Sequence, residues 1–527
     1  MTKPVRQPRT GKSAVLVFTG IFISRVSGLI RQTFINHYFG LSDAADAFIQ
    51  AFRIPNLLQN LLGEGVLSAS FIPVYASLLA KGERKEADRV AGAVGALLCL
   101  VVALLVCAGI WLAPYLVLLI APGYAGAKRE LTIELVRIVF PGTGLLVLGA
   151  WCLGVLNSHH KFLLSYAAGA MMNLAQIITL VAFGRATELP RLAIYLAWGY
   201  VVGAMLQFGV QLPIVLKLAT DIRFAFDTGS DHVRSVVRNF LPVLGSRGVV
   251  QISAYIDAAI ATLLPTGAAA ALMNAQLIYT APISLFGMSV SAAELPAMSG
   301  AAATATDGFE AVRQRLNAGL RPISFFVVPS AVAFIALGDI VAAALFQSGK
   351  FNHADSVYVW GILAGSSIGL LAQTLGRLYV NSYYALRDTR SPLKFAIVRI
   401  VLTTVLGYVC AVHVPVWLGV SRIWGTAGLT ASAGIAGWVE MLMLRHKLNK
   451  RIGRTAVPAD YLIKLWGSAV AAAAVAWGIK LALPHLDPRF MAILVLGPYG
   501  LIFLGMTLLL RIPEAAAVFN RILRRPA

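Results

Sequence analysis

Residues 24–79 read SRVSGLIRQTFINHYFGLSDAADAFIQAFRIPNLLQNLLGEGVLSASFIPVYASLL, long apolar runs punctuated by Arg25, Arg31, Asp46, Arg53 and Glu64. A charge at the centre of a bilayer costs about 2.5–3.5 kcal/mol on insertion scales, so charges in such runs face water or a partner. On a helix turning about 100° per residue, Asp46, Arg53 and Asn60 recur every seven residues and Glu64 follows four later. The four form one polar stripe. Arg25 and Arg31, six residues apart, can line one cavity only if it is wide or if Gly28 bends the helix. A structural alternative is an arginine–carboxylate network that locks two helices, for instance Arg53 with Asp46. The excess of arginine over carboxylate in the first run favours an anionic ligand, because the guanidinium fork matches phosphate oxygens.

The rest of the chain sets these residues in a membrane. Of 527 residues, 58% are hydrophobic and only 13% charged, with a mean hydropathy of +0.77. A soluble domain carries about 25% charge, so lipid is part of this protein's solvent. The net charge of +21 is the pattern of a membrane protein that collects Lys and Arg in its cytoplasmic loops. With no soluble basic domain or aromatic-basic tract, a nucleic-acid partner is not expected. Cys99, Cys107, Cys152 and Cys410 lie in apolar stretches without a C-x-x-C pair, which suggests neither metal site nor disulfide framework. The basic start and the apolar run from Ala14 read as an uncleaved first span, because Arg25 interrupts the run.

A span needs about 20 mostly apolar residues. The chain offers about fourteen, near 12–38, 44–80, 86–120, 128–157, 162–184, 189–217, 231–263, 267–301, 308–338, 351–384, 391–413, 421–445, 459–483 and 488–511. The runs holding Pro55, Pro242 and Pro282 are the ones expected to bend. Alternate loops from the N-terminus carry most of the Lys and Arg, from Lys81, Arg84 and Lys85 through Lys161 and Lys217 to Arg451 and Arg525. Both termini are therefore expected in the cytoplasm, which requires an even number of spans.

The chain also repeats itself. Ser24-Arg25 recurs as Ser246-Arg247, Pro73 as Pro296, and Asn157-Ser158 as Asn381-Ser382, at offsets of about 223 residues. The expected class is an all-α polytopic membrane protein: a six-helix lobe at 1–220, a parallel six-helix lobe at 221–445 and an additional two-helix segment at 446–527. The substrate path is expected between the lobes.

The second lobe adds Arg247, Gln251, Asp257, Glu294 and Arg377. Asp257 reads as a cation or gating site or as an ordinary salt-bridge partner; Glu294, two residues before Pro296, as a gating residue or the cap of a helix break. Gly11-Lys12-Ser13 is no P-loop, because Arg6 stands where the first glycine is required. HExxH, GxSxG and GxGxxG are absent, and no nucleophile–base pair stands out. A transporter is expected, with no catalytic residue, no metal and no cofactor.

The quoted opening, together with Ala121-Pro122-Gly123-Tyr124, FQSGKF at 346–351 and YYALRDTRSPLK at 383–394, closely resembles the MurJ/MviN lipid II flippases of the multidrug/oligosaccharidyl-lipid/polysaccharide exporter superfamily. The likeness runs from about residue 13 to 400. It implies a multi-pass protein of the bacterial inner membrane. Such a protein flips the undecaprenyl-diphosphate-linked peptidoglycan precursor outward by alternating access, and so serves cell-wall biogenesis and cell shape. It implies that Ser24, Arg25, Gly28, Arg31, Asp46, Arg53, Asn56 and Glu64 line or shape the cavity, with Arg25 and Arg31 on the diphosphate and Asp46 and Arg53 gating or holding it. The last two spans would form a groove for the polyprenyl tail. Its partners would be lipid II, membrane lipids and the cell-wall synthesis machinery. The chain departs from the family where it commonly reads NLLRR, having Gln59-Asn60, and where R-L-x-x-L-P appears as Gln276 to Pro282. Arg247 or Arg377 would compensate. Asp257 aligns near a sodium-ligand position, with Thr403 and Gly407 where further ligands would fall.

The lost arginines keep open a flippase for another polyprenyl-diphosphate glycan. A cation-coupled drug exporter of the same superfamily would want an acidic or aromatic cavity, which the arginine excess opposes. A membrane-bound glycosyl or phosphoryl transferase, or a scaffold that binds lipid without moving it, complete the alternatives.

Overall fold

The computed structural model describes residues 10–63, 67, 70–225, 230–304, 308–483 and 486–523, with side chains for all of these except 10–18, 239, 241–254, 303, 304 and 521–523. Among them the chain is helical apart from one bridge between Ser348 and Phe351. This is what apolar runs of this length must do in lipid, where each backbone N–H and C=O has to be satisfied within its own segment. Contacts gather the helices into two compact units, Met1–Thr262 and Leu263–Ala527.

The first unit contains α1 (Thr10–Phe39), α2 (Asp43–Ala51), α3 (Arg53–Leu62), α4 (Ile72–Lys81), α5 (Arg84–Trp111), α6 (Ala113–Ile120), α7 (Gly126–Ser158), α8 (Phe162–Ala167), α9 (Gly169–Phe183), α10 (Leu189–Leu218) and α11 (Asp231–Ala261). Its centre is α7, against which α2, α3, α4, α5, α6, α8 and α10 all pack. Phe71, just before α4, and Tyr75 and Leu78 within it bury themselves among Val90 and Val94 of α5 and Trp151 and Val155 of α7. The Trp151 indole N–H donates to the Ala91 carbonyl at 3.1 Å. The first helix lies on α8 and α9 at close quarters. A Cβ on Gly20 would come within 2.8 Å of the Tyr166 Cβ, and one on Gly169 within 2.8 Å of the Ser24 Oγ. At Gly20, where an added Cβ would also lie 3.3 Å from the Ala167 nitrogen, only glycine lets the backbones approach this far.

The second unit contains α12 (Ala268–Pro282), a π-helical turn (Ile283–Met288), α13 (Ser289–Thr304), α14 (Gly308–Phe346), α15 (His353–Ser367), α16 (Leu370–Ala385), α17 (Arg390–Tyr408), α18 (Val414–Trp417), α19 (Gly425–Ile452), α20 (Ala459–Ala482), α21 (Pro488–Leu509) and α22 (Pro513–Leu523). The π turn directly follows Pro282, whose missing N–H disturbs the ladder. Here α14 is the mast, with α13, α15, α16, α20 and α21 packed along it. The C-terminal pair is tied to it by polar contacts at several heights. Tyr461 donates to the Arg321 carbonyl at 3.2 Å, Tyr499 to that of Pro329 at 2.7 Å, Trp477 to that of Ala336 at 2.7 Å, and Lys480 Nζ meets Asp339 at 2.5 Å.

Ten helices among the described residues are long and apolar enough to cross a membrane; α15 and α16, bent by 43°, make an eleventh if taken as one span. These coincide with eleven of the fourteen expected runs. The others fall on α1, on α2 to α4, and on α11. The run near 44–80 is not one helix, because Gly63 ends α3 and Pro73 stands in the first turn of α4. Side chains such as Trp111, Leu119, Ile463 and Leu509 stand exposed, an apolar exterior suited to lipid.

Candidate functional site

A cavity of about 280 Å³ opens within the first unit. Four helices bring its polar side chains: α1 brings Ser24 and Arg25, α3 brings Gln59, α8 brings Ser165 and Tyr166, and α10 brings Gln207 and Gln211. Leu146, Gly149, Ala150 and Leu153 of α7 form the apolar side. The two close-packed glycines bring α1 here. The Ser24 carbonyl, accepting from Asn173 Nδ2 at 3.3 Å, and the Ser27 hydroxyl, accepting from the same nitrogen at 2.9 Å, fix α1 to α9. Arg25, exposed on α1, contributes a guanidinium with five N–H donors, and the lining contains no carboxylate. One arginine, three amides and three hydroxyls are chemically able to hold an anion flanked by groups that donate or accept hydrogen bonds.

The other expected residues are distributed more widely. Gly28 faces the Asn173 amide, which would lie 3.7 Å from an added Cβ. Arg31 lies six residues past Arg25, about 9 Å along the axis, and is not among the residues lining the cavity. Its Nε is buried without a hydrogen-bond partner. Asp46 is 1% exposed and meets Lys128 at 2.7 Å; the same ammonium meets Asp43 at 2.8 Å and sits over the Tyr124 ring at 4.3 Å. Arg53 donates through Nε to Gln50 Oε1 at 3.1 Å, and Gln50 in turn donates to the carbonyls of Ile120 and Ala258 at 3.0 and 3.2 Å. Asn56 and Asn60 are exposed, and Asp257 is partly buried on α11. Glu64 and the side chain of Arg247 lie outside the described residues. In the second unit Arg377 is exposed on α16, and Glu294 faces Arg315 at 3.6 Å on an α13 that continues through Pro296.

Several polar residues were not singled out in the sequence. Gln207 and Gln211 stand four apart in an apolar run, a spacing that puts both on one helix face. Arg399 of α17 meets Glu440 of α19 at 3.2 Å. No group of three or more His, Cys, Asp or Glu side chains able to hold a metal occurs among the described residues.

The sequence profile described as "Lipid II flippase MurJ" matches residues 35–497. The chain belongs to the MurJ family. It is 32% identical over 448 residues to the lipid II flippase MurJ of Burkholderia cenocepacia, covering 83% of this chain and 84% of that one. The probable lipid II flippase MurJ of Bdellovibrio bacteriovorus is 30% identical over 451 residues, covering 83% and 82%. Among solved structures, a lipid II flippase MurJ in an inward closed conformation superposes with a TM-score of 0.76 at 22% identity, over 97% of this chain and 100% of that one. An inward-facing multidrug resistance MATE transporter of the MOP superfamily gives 0.66 at 16%, over 83% and 98%. These two share the fold. In this MurJ-family cavity the uncharged Gln59 lines the same space as Arg25.

Proposed function

We propose that this chain is a lipid II flippase of the bacterial inner membrane: a multi-pass transporter, not an enzyme, that carries the undecaprenyl-diphosphate-linked peptidoglycan precursor from the cytoplasmic to the outer leaflet by alternating access. The observation that carries this is the family match across residues 35–497, and the chemistry of the cavity agrees with it. A diphosphate bears about two negative charges, and moving each outward from a negative interior releases about 2.3 kcal/mol per 100 mV. Arg25, donating from several N–H groups at once, offsets the desolvation of such a head group. The membrane potential is then sufficient as a driving force.

The finer assignments rest on sequence pattern and local geometry. Both termini lie in the cytoplasm, as the Lys and Arg of alternate loops support. Lobes at 1–220 and 221–445 carry the repeat, with 446–527 as the appended pair that takes the polyprenyl tail; the apolar exteriors of α20 and α21 support that role. Ser24 and Arg25 bind the head group, and Arg31, with its partnerless buried Nε, joins them when the head group moves. Gly28, Asp46, Arg53, Asn56 and Glu64 shape the path, Arg247 and Arg377 supply the second lobe's cations, and Asp257 and Glu294 gate it. The cell-wall synthesis machinery is the downstream partner.

Gln59 favours a second reading, a flippase for another polyprenyl-diphosphate glycan. The test is transport of labelled lipid II in proteoliposomes under an imposed potential. Flipping that falls at least about tenfold in Arg25→Ala and slows when the potential is collapsed supports the proposal. Transport of other polyprenyl-linked glycans but not lipid II favours the second reading, and a new covalent product would indicate an enzyme.

A further inference from the structure

The cavity holds one side chain for which anion binding gives no reason. Gln211 on α10 is 1% exposed, lines the cavity, and its Oε1 accepts no hydrogen bond. A buried carbonyl oxygen left without a donor is costly, and an apolar residue would fill the same place in a membrane helix without that cost. Gln207 lies one turn away on the same face, and Gln59 and Arg25 complete the polar side. What is missing is a donor, in the same cavity whose wall carries the Arg25 guanidinium.

The position of the cavity narrows the ligand further. Leu153 precedes the end of α7 at Ser158, Tyr166 follows the start of α8 at Phe162, and Gln207 and Gln211 precede the end of α10 at Leu218. At about 1.5 Å per residue these points lie about 6–17 Å from the helix ends. Those ends carry Lys161 and Lys217, the side on which the proposed orientation places the cytoplasm and so the loading of the precursor. A volume of about 280 Å³ is at the small end of ligand pockets. It suits one sugar ring with its phosphate and not a peptide-bearing disaccharide.

We infer that Gln211 is a specificity-determining residue: its Oε1 accepts from a hydroxyl or acetamido N–H of the sugar adjoining the diphosphate, while Arg25 holds the diphosphate. This rests on the flippase reading and deepens it. A site that hydrogen-bonds a substrate donor discriminates against ligands lacking it, because its own acceptor is then left bare.

The test measures binding of the full-length protein in detergent to two probes, undecaprenyl diphosphate and the same lipid carrying one N-acetylated amino sugar. Wild type is expected to prefer the sugar-bearing probe by about tenfold. In Gln211→Leu that preference collapses, with a fall of about tenfold for the sugar-bearing probe and less than about twofold for the bare diphosphate. Gln211→Asn, which keeps the amide but withdraws it by one methylene, loses part of the preference. Arg25→Ala weakens both probes alike. A Gln211→Leu that lowers both equally, or neither, overturns the inference. So does a wild type that binds the two probes equally, a comparison that needs no variant to fold. Wild type that keeps the sugar preference but moves no lipid II in proteoliposomes contradicts the transport reading and leaves the subsite standing.

Discussion

Lys128 shows how much one side chain can decide. In the first turn of α7, it sits between Asp43 and the nearly inaccessible Asp46 with its ammonium over Tyr124. Removing one partner of a buried pair costs about 3–5 kcal/mol where nothing else compensates the remaining charge. Lys128→Ala is therefore expected to lower stability by about 3 kcal/mol, read as a fall in melting temperature in detergent. Asp46→Asn combined with Lys128→Met should recover part of it, since neither charge then remains. An unchanged melting temperature in the single variant would mean that Asp46 is held by other groups.

His159, just beyond the end of α7, is the second such case. Burial pushes its imidazole below the ordinary value despite the nearby Asp88, and the Tyr75 hydroxyl lies 2.9 Å from Nε2, a contact the neutral ring satisfies by accepting. A histidine with a lowered folded pKa binds fewer protons folded than unfolded. Its contribution is present above about pH 6.5 and is lost as pH falls through the folded value. Melting temperature should therefore decline more steeply below about pH 6.5 in wild type than in His159→Gln. Parallel curves would contradict this.

At the scale of elements, the C-terminal pair is held to α14 through Tyr461, Trp477, Lys480 and Tyr499. Lys480→Met should loosen α20 first, because Asp339 is left buried without its cation. The expected readout is faster amide exchange in 459–482 with exchange in the first unit unchanged; identical exchange would show the packing sufficient without the ion pair. Eleven of the membrane helices were legible from the sequence because long apolar runs have no other way to satisfy their backbones. The run near 44–80 was expected to bend, but where it breaks, at Gly63 and before Pro73, is not something hydropathy registers. The cavity was half legible. Arg25 announced itself by the cost of its charge. Gln207 and Gln211 did not, since an amide carries no charge and only their four-residue spacing in α10 marks a face. Gln59 was read as a loss, and it lines the same space as Arg25.

For the whole molecule, composition already decided the solvent: 13% charge in 527 residues cannot clothe a soluble protein. The opening motif then carried the family resemblance, which the match over residues 35–497 establishes. The proposed function at this scale is the movement of one anionic, lipid-linked head group past an arginine-bearing cavity, and that proposal asks for no catalytic residue. The most direct measurement is genetic complementation: the resident lipid II flippase of a Gram-negative host is depleted, and this chain is expressed beside its Arg25→Ala, Arg31→Ala double variant, with membrane levels of both verified. Rescue of growth and cell shape by the wild type and not by the double variant is the predicted result. Failure of a well-expressed, correctly inserted wild type to rescue, or equal rescue by the double variant, would contradict lipid II transport through these arginines.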